Sequence, residues 1–104
     1  MALLDDLFES LSREQRRRLL LQLLEHNPLD ESKIYRGDDT SDEDESKRFR
    51  VQMYHIHLPK LAAYGFIDWD RNEHVIRKGS NFEKIRPMLE LLYERRDALP
   101  VGRA

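Results

Sequence analysis

Residues 47–60 set out Lys47, Arg48, Arg50, Gln52, His55 and Lys60, side chains suited to reading a nucleic acid. Arginine forks and glutamine amides match paired positions on guanine and adenine edges in the major groove, while lysine and arginine neutralise phosphates. Arg71, Asn72, His74, Arg77 and Lys78 form a second group, with basic ends of the kind that follow a phosphate backbone. Arg13, Arg16, Arg17 and Arg18 are the densest basic cluster. Each group has a competing reading. Phe49, Met53 and Ile56 share a helix face with Lys60, which suits burial or a protein contact as well as a groove. Asp68, Asp70 and Glu73 would repel phosphates from the second group. Glu9, Glu14 or the acidic run downstream can pair with the third, and intramolecular pairing is slightly favoured there.

Other chemistries find little support. There is no cysteine, which removes disulfides, thiolate catalysis and cysteine-ligated zinc. His55 and His57 lie two apart and point to different sides of a helix; His26 and His74 have no carboxylate at ligand spacing. No metal site or cofactor is therefore expected, and His57 reads as a helix-flank residue bonded to a neighbour. No nucleophile sits beside a base and no glycine-rich phosphate loop occurs, so no catalytic residue and no enzyme activity are expected.

Charge is unevenly placed. The net charge is −2, yet residues 38–45 carry six acids and no base, and residues 46–104 carry twelve bases against seven acids. A basic second half is compatible with a polyanionic partner. Mean hydropathy is −0.77. No stretch has the length of apolar sequence a membrane span needs, and the start Met1-Ala2-Leu3-Leu4-Asp5-Asp6 lacks a leader pattern, so a cytoplasmic protein without membrane contact is expected.

The elements that would position these groups follow from periodicity. Leu4, Leu7, Phe8 and Leu11 keep one helical face, Ser12-Arg13-Glu14-Gln15 offers a capping box, and Leu19, Leu20, Leu23 and Leu24 form a stripe away from Arg13, Arg16 and Arg17. Asn27-Pro28 ends this helical region. Leu29, Ile34 and Tyr35 anchor either one helical turn or a short strand, before an exposed loop from Gly37 through the acids. A long helix runs from about Asp42 to Tyr64, with Val51, Tyr54, Leu58, Leu61 and Ala62 on its core face and a kink or a short break expected at Pro59. Gly65 stops it. Residues 66–70 and 74–77 predict a hairpin around Arg71-Asn72-Glu73, with Trp69 in core or interface. Ser80-Asn81-Phe82-Glu83 offers a second capping box before a helix over about 81–98, its regular part moved toward Arg86 by Pro87. Ile85, Leu89 and Leu92 on that helix, with Leu4, Leu7 and Phe8 near the start, are candidate homodimer contacts. The whole, residues 1–104, reads as a single α+β domain, mostly α, with its core over 5–78.

The string His57-Leu58-Pro59-Lys60-Leu61-Ala62-Ala63-Tyr64-Gly65-Phe66-Ile67 resembles the recognition-helix end and first wing strand of ArsR-like winged-helix regulators. With Lys47-Arg48-Phe49-Arg50-Val51-Gln52-Met53-Tyr54-His55-Ile56 before it, it is similar to a haloarchaeal winged-helix family of unknown function. The resemblance covers about residues 5–78. It implies a winged helix-turn-helix with a two-stranded wing over 66–78 and a recognition helix over about 46–60, binding double-stranded DNA as a dimeric transcriptional regulator. The alternative is a winged-helix module that contacts a protein through Phe49, Met53 and Ile56. Residues 29–41 depart from the pattern by offering little of the usual second helix.

Overall fold

Leucine spacing at the start yields two helices, α1 (Ala2–Leu11) and α2 (Glu14–Glu25), broken at Ser12 and Arg13. The computed structural model describes residues 2–34, 43–95 and 97, so Tyr35, Gly37, the acids of 38–42 and the tail from 98 lie outside the described residues. The expected capping box does not form: the N-cap of α2 is Arg13, without a side-chain bond. Ser12 Oγ instead donates to Glu9 O at 2.6 Å, closing α1 behind it. Leu7 and Ser10 face the interior, leaving Leu4 and Phe8 45% and 56% exposed.

After Pro28, both readings of the next segment are realised in sequence. β1 (Leu29–Asp30) is followed by a single turn, α3 (Glu31–Ile34). The chain then returns as α4 (Glu43–Gln52), a π-helical turn (Met53–His57) and α5 (Leu58–Ala63). The three acids that open α4 face the positive end of its dipole.

The π turn overturns the expected core face. Met53, His57, Leu58 and Leu61 are buried, whereas Val51 and Tyr54 are 49% and 39% exposed. In a regular helix Met53 and Leu58 would stand roughly 140° apart. The Leu58 N–H reaches back to Met53 O, five residues away, and this wider turn aligns both on the core. Pro59 lacks the N–H that would bond to His55 O, which loosens the α-type ladder at this point. The expected kink is thus an added residue within the turn.

β2 (Ile67–Asp70) and β3 (Val75–Lys78) form the hairpin. The sheet has three antiparallel strands in the order β1-β3-β2, not two, because Leu29 pairs with Ile76 along the free edge of β3. α6 (Phe82–Glu94) starts at Phe82 and carries Pro87 inside it, so its start is not displaced to Arg86. Pro87 is exposed, on the side of α6 away from the core residues Phe82, Ile85 and Leu89. Asn81 makes no cap bond; its Nδ2 donates to Tyr64 O at 2.9 Å instead. Phe82, Ile85 and Leu89 of α6 join Leu19, Leu20, Leu23, Leu58, Leu61, Phe66 and Ile76 in one core.

The hairpin is closed by two glycines in contact. Gly65 has φ +79, and a Cβ on Gly79 would lie 2.3 Å from Gly65 O and 2.8 Å from Ile67 N. Those are backbone atoms and cannot swing aside. Gly79→Ala is expected to cost about 2 kcal/mol or more, by backbone strain without loss of apolar burial. Urea unfolding measures it, and a cost below about 0.5 kcal/mol would show that the glycine contact is slack.

Candidate functional site

Helical spacing places Lys47, Arg50, Val51 and Tyr54 on one face, with Arg48 and His55 beside it. Lys47, Arg48, Arg50 and His55 are all exposed. Gln52 is half-buried, and Lys60 is tied to Glu9 by an ion pair. The first candidate group is therefore split: its N-terminal half is presented outward, and Lys60 belongs to a different side of the fold.

Tyr54 connects this face to the hairpin. Its ring meets Trp69 edge-on at 5.0 Å, and the Arg71 guanidinium lies 4.2 Å from the Trp69 ring and 5.7 Å from that of Tyr54. Trp69 Nε1 donates to Glu31 Oε1 at 2.7 Å, anchoring the indole to the buried carboxylate of α3. Trp69 is thus half-buried between hairpin and helix and carries a cation on its outer side. Aromatic spacing alone did not reveal this stack, because the partners come from three separate elements.

The other hairpin candidates have occupations of their own. Arg77 pairs across the strands with Asp68 and lies 3.8 Å from Asp70 Oδ2. Lys78 lies over the Phe82 ring at 5.2 Å. Asp70 Oδ1 accepts from the N–H groups of Asn72 and Glu73, which shapes the tip. His74 holds φ +57 and its Nδ1 is 3.9 Å from Glu31 Oε1. Arg71, against the Tyr54 and Trp69 rings, and Asn72 are exposed at the tip.

Of the arginine cluster, Arg16 and Arg17 turn toward the end of α1, while Arg13 is exposed. Arg16, expected on the outer face of α2, is only 5% exposed. Its Nη2 donates to Glu9 O at 2.8 Å, beside the bond from Ser12 Oγ, and its Nε to Ser10 O at 3.2 Å, meeting carbonyls in the last turn of α1. Its Nη1 lies 3.2 Å from His57 Nδ1. A guanidinium only donates, so His57 accepts there as the neutral tautomer protonated on Nε2. Arg17 Nη1 donates to Leu11 O at 2.6 Å, a second arginine closing α1. The neighbour bond expected of His57 is thus to Arg16. Burial, then the charges of Arg16 and Arg13, lower the His57 pKa from 6.5 to about 4.

The candidate dimer residues separate by burial. Leu7, Ile85 and Leu89 lie within the chain's own core and Leu92 is half-buried against it. Leu4 and Phe8 are exposed one turn apart. Of the apolar residues interleaved with the basic ones, Met53 is 1% exposed, Phe49 packs partly on the core, and Ile56 is 52% exposed, so the three do not form one outer surface. Among the described residues no helix is long and apolar enough to cross a membrane.

The family model for a domain of unknown function, DUF7344, matches residues 8–77, more than half of the chain, and the chain belongs to that family. The match takes in Arg16, His57, Tyr54, Trp69 and Arg71 and ends before α6. No curated protein and no solved structure matches the chain.

The Arg16–His57 contact sets a pH dependence. The folded pKa of His57 lies below the unfolded value, so the unfolded state binds the proton more readily and stability falls as pH drops from about 6.5 to about 4. The loss approaches roughly 3 kcal/mol at the acid end. Subtracting the profile of His57→Gln, which can still accept from Arg16, isolates this contribution from the carboxylates. Parallel profiles for the two proteins would contradict the burial of a neutral imidazole.

Proposed function

We propose that the protein is a winged-helix transcriptional regulator that binds double-stranded DNA as a homodimer, with α4 as the groove-facing helix and the β2–β3 hairpin as the wing. The element order supports it: two helices, an edge strand, a short helix, a long helix and a hairpin paired to that strand. This order accords with the resemblance of the His57–Ile67 string to ArsR-like and haloarchaeal winged-helix proteins. The observation that carries the functional reading is the Tyr54–Trp69–Arg71 stack, which joins the exposed Lys47, Arg48 and Arg50 helix to a cation at the hairpin. Helix and hairpin are then presented together, as a groove and its flanking backbone require. Arg48, Arg50 and Lys47 would supply base or phosphate contacts and Arg71 and Asn72 the wing contact.

The competing reading, a protein-contact module using Phe49, Met53 and Ile56, is weakened by the burial of Met53. Its remaining support is Ile56, which stays exposed.

Binding to duplex DNA, measured by fluorescence anisotropy between about 50 and 200 mM salt, is expected to weaken log-linearly, and each of Arg48→Gln and Arg50→Gln to reduce the slope by about 1. Absence of salt-sensitive binding at the low end of that range would overturn the reading. For the dimer, Leu4 and Phe8 are the contact residues the fold leaves open. Sedimentation equilibrium is expected to give twice the chain mass, reverting to one on Phe8→Ser with the helical spectrum retained. A wild-type monomer at high concentration rules this pairing out.

A further inference from the structure

The structure leaves an open cleft of about 390 Å³ where the α1–α2 corner meets the π turn and α5. Its walls include Arg13, Arg16 and Lys60, with amides from Gln15 and Gln52 and the Ser12 hydroxyl. Two of the three cations are already engaged. Lys60 pairs with Glu9, the carboxylate in this wall. Arg16 is buried and bonded only to neutral groups: two carbonyls, the Ser12 hydroxyl and the His57 imidazole. Arg13 is exposed, and its guanidinium has neither a hydrogen bond nor an ion pair among the described residues. With one carboxylate, Glu9, against Arg13, Arg16 and Lys60, and with His57 neutral, the described lining of the cleft keeps a net charge of two positive.

We propose that this cleft is a binding site for a tetrahedral oxyanion of the phosphate class, with Arg13 as the clamp and the amides of Gln15 and Gln52 as neutral donors. A free guanidinium on the rim and a buried one behind it provide the attraction, and flexible amides provide directional bonds to an anion's several oxygens. A carboxylate ligand would use fewer of these donors. The cleft lies on the side of the helix that carries Gln52, Ile56 and Lys60, away from the Lys47–Tyr54 face, so it is a site separate from the groove-facing one. It borders the π turn directly, and an anion held there would bridge α2 to the segment that follows α4. The occupant is either a free phosphate-bearing small molecule or a backbone phosphate of bound nucleic acid; the chemistry is the same.

Inorganic phosphate is the probe, titrated at constant ionic strength into the intact protein at neutral pH while the His57 ring is followed by NMR. His57 faces Arg16 from α2, Arg13 from the cap before it, Glu9 from α1 and Lys60 from α5, so an added anion in the cleft raises its pKa from about 4 toward its ordinary range. A saturable shift of the His57 ring signals, weakened at least tenfold in Arg13→Gln, is the expected result. Arg13 is exposed, so that variant keeps the fold. Phosphate also stabilises proteins generally by exclusion from their surface, but that effect would act equally on both proteins and would not saturate. Non-saturating shifts, or equal affinity in Arg13→Gln, overturn the site. Adding a short duplex then names the source. Competition with phosphate assigns the cleft to a backbone phosphate, and simultaneous binding assigns it to a free anion. The Arg48→Gln/Arg50→Gln protein separates this site from the DNA reading: it is expected to lose duplex affinity and to bind phosphate as before.

Discussion

A guanidinium cannot shed its charge, so placing Arg16 in the interior obliges the surrounding groups to answer its N–H donors. Two of them are carbonyls in the last turn of α1. The same group therefore ends α1, begins the packing of α2 and meets the π turn through His57. Three elements separated in sequence converge on one cation. Removing it would leave the Ser10 carbonyl and the His57 ring short of a donor inside the fold, where an unmet polar group costs about 1–3 kcal/mol, while Glu9 O would keep its bonds from Ser12.

That junction constrains the helix presented to solvent. His57 must be inward to meet Arg16, and Met53, Leu58 and Leu61 must be inward to fill the core. No uninterrupted α-helix can satisfy Met53 and Leu58 together. The π turn is the compromise, and it turns Val51 and Tyr54 outward as a consequence. Tyr54 is then free to meet Trp69, and Trp69 is held by Glu31 from α3. The exposed face of α4 and the hairpin are thus set against each other by the same packing that buries His57.

Much of the fold was legible because periodicity and punctuation agreed. Pro28 and Gly65 end helices where expected, the hairpin falls within a residue of its expected strands, and Phe82, Ile85 and Leu89 keep core spacing. The misreadings share a physical cause, since each is decided by a distant partner. Ser12 and Asn81 prefer Glu9 O and Tyr64 O to the helix starts beside them. β1 is a strand because Ile76 lies opposite Leu29, which no local pattern announces. Arg16 looks like a surface residue until α1 and His57 close around it. The basic run was visible as composition, but which of its members face outward depends on the π turn, a feature with no reliable local signature.

Charge along α4 limits how such a face could meet a polyanion. Glu43, Asp44 and Glu45 stabilise the helix start through its dipole, yet they place negative charge where a groove-inserted helix usually leads. Contact would then have to come from the middle of the helix, at Lys47, Arg48 and Arg50, with the acidic end lifted clear. A helix engaging by its middle lies more nearly along the groove than into it. The hairpin cation on the Trp69 ring sits at the opposite end from these acids, since Tyr54 follows the last of the exposed basic residues. On the proposed reading the cations that would meet a phosphate backbone therefore lie between the acidic start of α4 and the Tyr54–Trp69–Arg71 stack, and Asp68, Asp70 and Glu73 bound them on the hairpin side.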